Sequence, residues 1–326
     1  MSERNYDPEL AEIVELLPSS IEWGPPESMP AARAAQASWS PPVEQRADVV
    51  REDRMIPGGE GDPDVQIRIY RAADAPDGPL PGLFEIHGGG FIVGDLTMMD
   101  GFCDAVAAEF PAVVVSVNYR LAPEDPYPAP VDDCYAALKW FADNAAELGV
   151  DPDRIAIAGQ SAGGGLAAAT ALMARDRGGP ALCFQLLDIP ELDDRLETPS
   201  MTQFVDTPLW NRPNAVRSWS WYLGSDDAPG SDDVSYYAAP ARCDDLSGLP
   251  PTFVAVMEFD PLRDEGLIYA MRLLEAGVST ELHAYPGTFH GSALVATADV
   301  SKRQARDGVG ALRRALTGTA TKATNA

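Results

Sequence analysis

From Val65 onward the chain alternates short apolar or β-branched runs with stretches of helical spacing, and that alternation restricts its fold more than any other feature. Val65, Ile67 and Ile69 alternate with polar neighbours, Leu83-Phe84-Glu85-Ile86 follows a Pro-Gly turn, and Ala112 to Val117 is a β-branched run. An amphipathic stretch from Pro130 to Leu148 is long enough for a helix. The pattern then predicts a strand over Arg154 to Ala158, a helix over Ala162 to Arg175 and a strand over Ala181 to Leu187. A strand over Thr252 to Met257, a helix over Asp264 to Ala276, a strand over Thr280 to Tyr285 and a helix over Val300 to Leu316 complete it. Strands that alternate with helices predict an α/β fold, with a mostly parallel central sheet flanked by helices on both faces.

The alternation has three interruptions. Residues 1–45 are rich in Pro, Ala and acid, with Leu10, Ile13, Val14 and Leu17 in helical spacing, and read as a helical appendage. Residues 193–249 crowd Pro, Asp and aromatic residues, including Trp210, Trp219, Trp221 and Tyr222, and read as an insertion. Open α/β sheets bind ligands beyond the carboxyl ends of their strands, so an insertion at this point would lie over that edge as a lid. Its aromatic residues serve equally as pocket wall or as lid core. Residues 46–192 and 250–316 are then the two parts of the core, and 317–326 a small, polar, flexible tail.

Composition excludes several classes of partner. The chain carries 50 acidic and 24 basic residues, a net charge of −26, which would repel a phosphate backbone, so no nucleic-acid partner is expected. The start lacks a basic flank with an apolar core, and no apolar run approaches the ~20 residues of a membrane span, so the chain reads as cytoplasmic. Cys103, Cys134, Cys183 and Cys243 stand singly, as buried free thiols would, and the three histidines are too few for a histidine-rich metal centre. No cofactor or metal is expected.

Chemistry is concentrated in Gly159-Gln160-Ser161-Ala162-Gly163, which a predicted strand precedes and a small-residue helix follows. A sharp strand-to-helix turn there would strain Ser161 and lift its hydroxyl above the sheet edge, at the positive end of the helix. His87-Gly88-Gly89-Gly90-Phe91 follows the strand that ends at Ile86. Three consecutive glycines are costly unless the backbone must approach something closely. With Ala162, the amides of Gly88 and Gly89 could hold the oxyanion of a tetrahedral intermediate. A dinucleotide loop fails on spacing, and no Gly-Lys-Ser/Thr supports a phosphate loop.

A serine hydroxyl needs an imidazole to take its proton and an acid to orient that imidazole. His87 belongs to the glycine loop and His283 lies inside a predicted strand, whereas His290 sits in a loop between the last strand and the final helix. Asp260 follows the preceding strand and is stiffened by Pro261. Asp264 and Glu265 read as favourable charge in the first turn of the next helix, and Glu258 as a residue that orients the loop. Because an imidazole is a base only when neutral, activity should rise with pH through the imidazole range.

The order Ser161, Asp260, His290 is that of the α/β-hydrolases. Over residues 65–316 the chain resembles the hormone-sensitive lipase family of esterases. The likeness rests on His87-Gly-Gly-Gly, Asn118-Tyr-Arg-Leu-Ala-Pro-Glu124, the serine pentapeptide, Asp260-Pro-Leu-Arg-Asp-Glu-Gly266 and the loop from Pro286-Gly287 to His290-Gly291. Gln160 departs from it, since many relatives carry Asp or another small polar residue there. The resemblance implies a cap built from the N-terminal segment and the insertion, serine carboxylesterase activity on a small-molecule acyl ester, and a homodimer through an edge strand. Arg120 and Glu124 are expected to pair near the loop that supports the glycines. The same residues could serve a lactonase, amidase or deacetylase, or a receptor that keeps the fold without the chemistry.

Overall fold

A computed structural model of the chain describes residues 4–17, 23–39, 43–76 and 78–318. Two N-terminal helices, α1 (Pro8–Val14) and α2 (Met29–Trp39), precede strands β1 (Val49–Ile56), β2 (Val65–Ala72) and β3 (Leu80–Ile86). Then come α3 (Asp100–Glu109), β4 (Val113–Asn118), α4 (Ala129–Asp143), the single turn α5 (Ala145–Leu148), β5 (Val150–Gln160), α6 (Ala162–Asp176) and β6 (Phe184–Asp188). The insertion contributes α7 (Pro199–Gln203) and α8 (Arg212–Tyr222), and β7 (Thr252–Phe259), α9 (Arg263–Glu275), β8 (Thr280–Phe289) and α10 (Asp299–Thr317) close the chain.

All eight strands form one sheet in the order β1-β2-β4-β3-β5-β6-β7-β8, antiparallel only at β1–β2 and β2–β4. Parallel strands are covered on both faces, and their residues are accordingly buried along whole runs, as in β3 and the Val113 to Val117 part of β4. One apolar cluster packs α4, α6, α9 and the insertion against the sheet, with Phe84, Val115, Leu166, Trp219 and Leu273 among its members. On the opposite face, Leu10, Val106, Phe253 and Leu312 join α1, α3 and α10 to it.

The mostly parallel α/β architecture is the one expected. Two elements were not read from the sequence. β1 carries Arg51-Glu52-Asp53-Arg54 and buries only its end residues, so no apolar alternation marks it. It is held by pairing with β2 and by Arg51, which bridges Asp100 and Asp104 of α3 at 2.7 and 2.6 Å. α3 is equally unmarked, because Asp100 and Asp104 occupy buried positions where apolar residues would be expected. The helix expected over Pro130 to Leu148 divides at Asn144 into α4 and α5. The final helix runs to Thr317, and the tail beyond Gly318 lies outside the described residues, as do 1–3, 18–22 and 40–42 of the N-terminal segment.

Candidate active site

Since β3, β5, β6, β7 and β8 are mutually parallel, their carboxyl ends share one edge of the sheet. Ser161 is the first residue after β5, Asp260 the first after β7 and His290 the first after β8. Chain segments far apart in sequence therefore bring these side chains together for a topological reason.

At the turn after β5 the Ser161 backbone has φ 57° and ψ −122°, a conformation disfavoured for any residue with a Cβ. The surrounding contacts hold it there. Ser161 N–H donates to the Asp188 carbonyl at 2.8 Å, and the Ser161 carbonyl accepts from Gly165 and Glu191 amides, each at 3.0 Å. Close packing also requires Gly163, where a Cβ would lie 2.1 Å from the Ile86 carbonyl oxygen. The strain and the flanking glycine were both expected.

Ser161 Oγ lies 3.0 Å from His290 Nε2, and His290 Nδ1 lies 2.8 Å from Asp260 Oδ2. The other Asp260 oxygen accepts from Leu262 N–H at 2.9 Å. A carboxylate can only accept, so Nδ1 carries the imidazole proton and the Nε2 lone pair faces the serine hydroxyl. Residues Ser161, His290 and Asp260 are 6%, 8% and 1% exposed, so the path is largely shielded from solvent. Glu258 supports the arrangement from outside, its Oε2 accepting from Gly287 N–H at 2.7 Å in the loop that leads to His290.

The glycine loop passes directly beside the serine, since a Cβ at Gly88 would come within 3.5 Å of Ser161 Cβ. Gly89 adopts φ +118°, a region that only glycine enters easily. Among the described residues, no acceptor receives the amides of Gly88, Gly89 or Ala162. Their neighbours are well anchored. His87 Nδ1 donates to the Gly88 carbonyl at 2.7 Å, Tyr119 OH donates to the His87 carbonyl at 2.9 Å, and the two rings stack at 4.3 Å. Burial pushes His87 down to about 4, so it stays neutral and serves the loop's shape.

Segments outside the core grip the same loop, and sequence reasoning missed most of this. Ser218 of α8 donates to the Gly90 carbonyl at 2.9 Å, and Phe91 stacks on Tyr222 of α8 at 4.0 Å. Trp210 lies against Gly90 and 5.7 Å from the His290 ring. From α2, Arg33 donates to the Ile92 carbonyl at 2.7 Å and the Ala122 carbonyl at 2.8 Å, and grips both oxygens of Glu124. Glu124 therefore pairs with Arg33, not with Arg120 as expected. Arg120 is taken by Asp133 and Asp62 at 2.7 and 3.0 Å, because the turn at Pro123 carries Glu124 toward α2. Glu265 stands in the first turn of α9, as expected. It is also buried and takes the Leu192 amide at 2.6 Å, and burial raises its carboxyl well above the usual range, which the sequence did not announce. Asp264 accepts from the Ser200 amide at 2.7 Å.

Comparison with known proteins agrees with this geometry. A family model described as alpha/beta hydrolase fold matches residues 83–294. The chain is 41% identical over 317 residues to the carboxylesterase NlhH of Mycobacterium tuberculosis, covering 96% of this chain and 97% of that one. Among solved structures, a bacterial heroin esterase is 53% identical, with a TM-score of 0.91 and coverage of 96% and 98%. A thermostable esterase from Pseudomonas putida is 32% identical, with a TM-score of 0.86 and coverage of 97% and 99%. On fold, on converging side chains and on these likenesses, the chain belongs to the α/β-hydrolase fold family, in its hormone-sensitive-lipase-like branch.

Proposed function

We propose that this chain, a carboxylic ester hydrolase, cleaves short-to-medium acyl esters with Ser161 as nucleophile, His290 as general base and acid, and Asp260 as the residue that orients His290. The observation that carries this reading is the unbroken path of 3.0 and 2.8 Å hydrogen bonds from Oγ through the imidazole to the carboxylate. Ser161 Oγ bonds to the ester carbonyl carbon while its proton passes to Nε2. The carbonyl oxygen takes up the negative charge and is held by the amides of Gly88, Gly89 and Ala162, whose N–H groups have no acceptor among the described residues. Collapse of this intermediate breaks the ester C–O bond, and Nε2 returns the proton to the departing alcohol. Water then repeats the sequence on the acyl-serine: its proton goes to Nε2, its oxygen to the acyl carbon, and the carboxylic acid leaves as Ser161 regains its hydrogen. Asp260 stays ionised and stabilises the imidazolium at both stages.

Residues 1–45 and 193–249 act as a cap over the core formed by 46–192 and 250–316. The low exposure of Ser161 and His290 and the grip of α2 and α8 on the glycine loop support this. The reaction as written uses no cofactor or metal. A small-molecule ester is the partner, with no role for nucleic acid given the −26 charge, and a homodimer through an edge strand, β1 or β8, completes the reading. The cytoplasm is the setting favoured by four free cysteines, and among the described residues no helix is long and apolar enough to cross a membrane. A graded series of p-nitrophenyl esters beginning with the acetate, run with lactones and anilides of the same acyl groups, tests the assignment. Preferential turnover of the esters is expected, and preference for lactone or anilide would overturn it.

A further inference from the structure

A cleft of about 310 Å³ opens on the face of the sheet opposite α6, between α10 and the turn that follows His290. Its size is within the range of about 300–1,000 Å³ typical of small-molecule sites. Neither Ser161 nor His290 lines it. Its walls are apolar, with Phe102, Leu186, Phe253 and Val309, and its mouth lies by Ala296 and Ala305.

The buried side-chain atoms left unpaired within it are oxygens. Glu85 is fully buried; its Oε2 takes the Ser116 hydroxyl at 2.7 Å, and its Oε1 has no partner among the described residues. Gln304 is 6% exposed and uses its amide nitrogen on Asp188 at 2.9 Å, which leaves its Oε1 unpaired as well. Asp188 lies between Gln304 and Gln160, whose amide reaches it at 3.0 Å. Burial pushes the Glu85 carboxyl up to about 8, so in the empty cleft it holds a proton near neutral pH and would give it up to an entering amine, forming a carboxylate–ammonium pair. The one basic residue of the lining, Lys302, is tied to Asp299 at 2.9 Å at the exposed rim. The unpaired oxygens of Glu85 and Gln304, with the Asp188 carboxylate beside them, suit a ligand that can take the Glu85 proton and then offers several donors and no acceptor. An amine on a compact apolar body meets that description, whereas an alcohol has one donor and competing lone pairs.

We propose that this cleft is a second binding site, for a small apolar amine, distinct from the reaction centre. Its floor includes Gln160, the residue before Ser161, and its rim includes Ala293, three residues after His290, so an occupant sits behind the supports of both.

The test is isothermal titration calorimetry of the full chain with cyclohexylmethylamine and with its neutral counterpart cyclohexylmethanol. Saturable binding of one amine per chain is expected, with the alcohol at least ten-fold weaker. The amine should bind equally well to enzyme treated with a serine-directed phosphonate. Ala305→Phe, at the mouth, should abolish amine binding and leave ester turnover unchanged, and Glu85→Gln should weaken the amine ten-fold or more while sparing the alcohol. Loss of amine binding on phosphonate treatment would place the amine in the reaction pocket and overturn the proposal. Equal affinity for the alcohol would reduce the cleft to an apolar hollow. Binding that survives Ala305→Phe would be attraction to the acidic surface, and no saturable binding would leave a cleft that holds water only. Amine binding is read without turnover, so failure of the esterase mechanism would be seen separately.

Discussion

Replacing Asp260 by Asn changes one atom of the side chain and tests the proposed proton path sharply. Asp260 has two acceptor oxygens in use, one for Leu262 N–H at 2.9 Å and one for His290 Nδ1–H at 2.8 Å. Asparagine can keep only one. With its oxygen on Leu262, its NH₂ group faces Nδ1, so the imidazole must carry its proton on Nε2, where it points at Ser161 and cannot accept. The reverse orientation leaves the Leu262 amide without an acceptor in a fully buried place, at a cost of about 1–3 kcal/mol. The negative charge that stabilises the imidazolium is lost in either case, worth about 1.5–3 kcal/mol. Together these give about 3–6 kcal/mol, or about 10²–10⁴ in kcat at 1.36 kcal/mol per decade. Initial rates on p-nitrophenyl acetate, with circular dichroism to verify folding, measure this. A folded Asp260→Asn enzyme whose kcat stays within ten-fold of the parent would refute the reasoning.

Three further outcomes follow from the groups around the site. Ser218→Ala removes the side-chain donor to the Gly90 carbonyl and should lower kcat about five-fold, the equivalent of one hydrogen bond of about 1 kcal/mol, with KM nearly unchanged; a loss of thermal stability alone would reassign Ser218 to packing. Arg33→Met strips the buried carbonyls of Ile92 and Ala122 of their donors and should cost about 2–3 kcal/mol in urea unfolding, the half-exposed Glu124 adding well under 1 kcal/mol; an unchanged midpoint would show the α2 contact to be idle. Burial pushes the Glu191 carboxyl up to about 8 from its ordinary 4.5, so the folded chain holds a proton that the unfolded chain releases, and stability falls as pH rises from about 4.5 toward 8. Glu191→Gln removes that share of the fall, and its advantage over the parent in urea should grow from pH 5 to pH 8; an advantage independent of pH would contradict the burial argument.

What the sequence made legible was local or topological. A strand, a strained serine and a small-residue helix are contiguous, so the turn at Ser161 could be read directly. Asp260 and His290 could be expected beside Ser161 because a parallel sheet collects the residues after its strands at one edge. The rest depended on partners distant in sequence. Nothing in Met29 to Arg33 announces that Arg33 will cap Ile92, and nothing near Glu124 signals that it turns away from Arg120. β1 and α3 were invisible for a related reason, since buried ion pairs between Arg51 and Asp100 or Asp104 replace the apolar periodicity that marks such elements. The acceptor role of Glu265 was equally illegible because it depends on Leu192, in the insertion's approach.

The central claim is that Ser161 forms the covalent intermediate, and trapping is its most direct measurement. After reaction with a p-nitrophenyl phosphonate, peptide mass spectrometry of the full chain should locate one stoichiometric adduct on Ser161, with turnover lost in proportion to labelling. Ser161→Ala should take up no label and hydrolyse no ester. An adduct on another residue, or ester turnover that survives complete labelling of Ser161, would contradict the account.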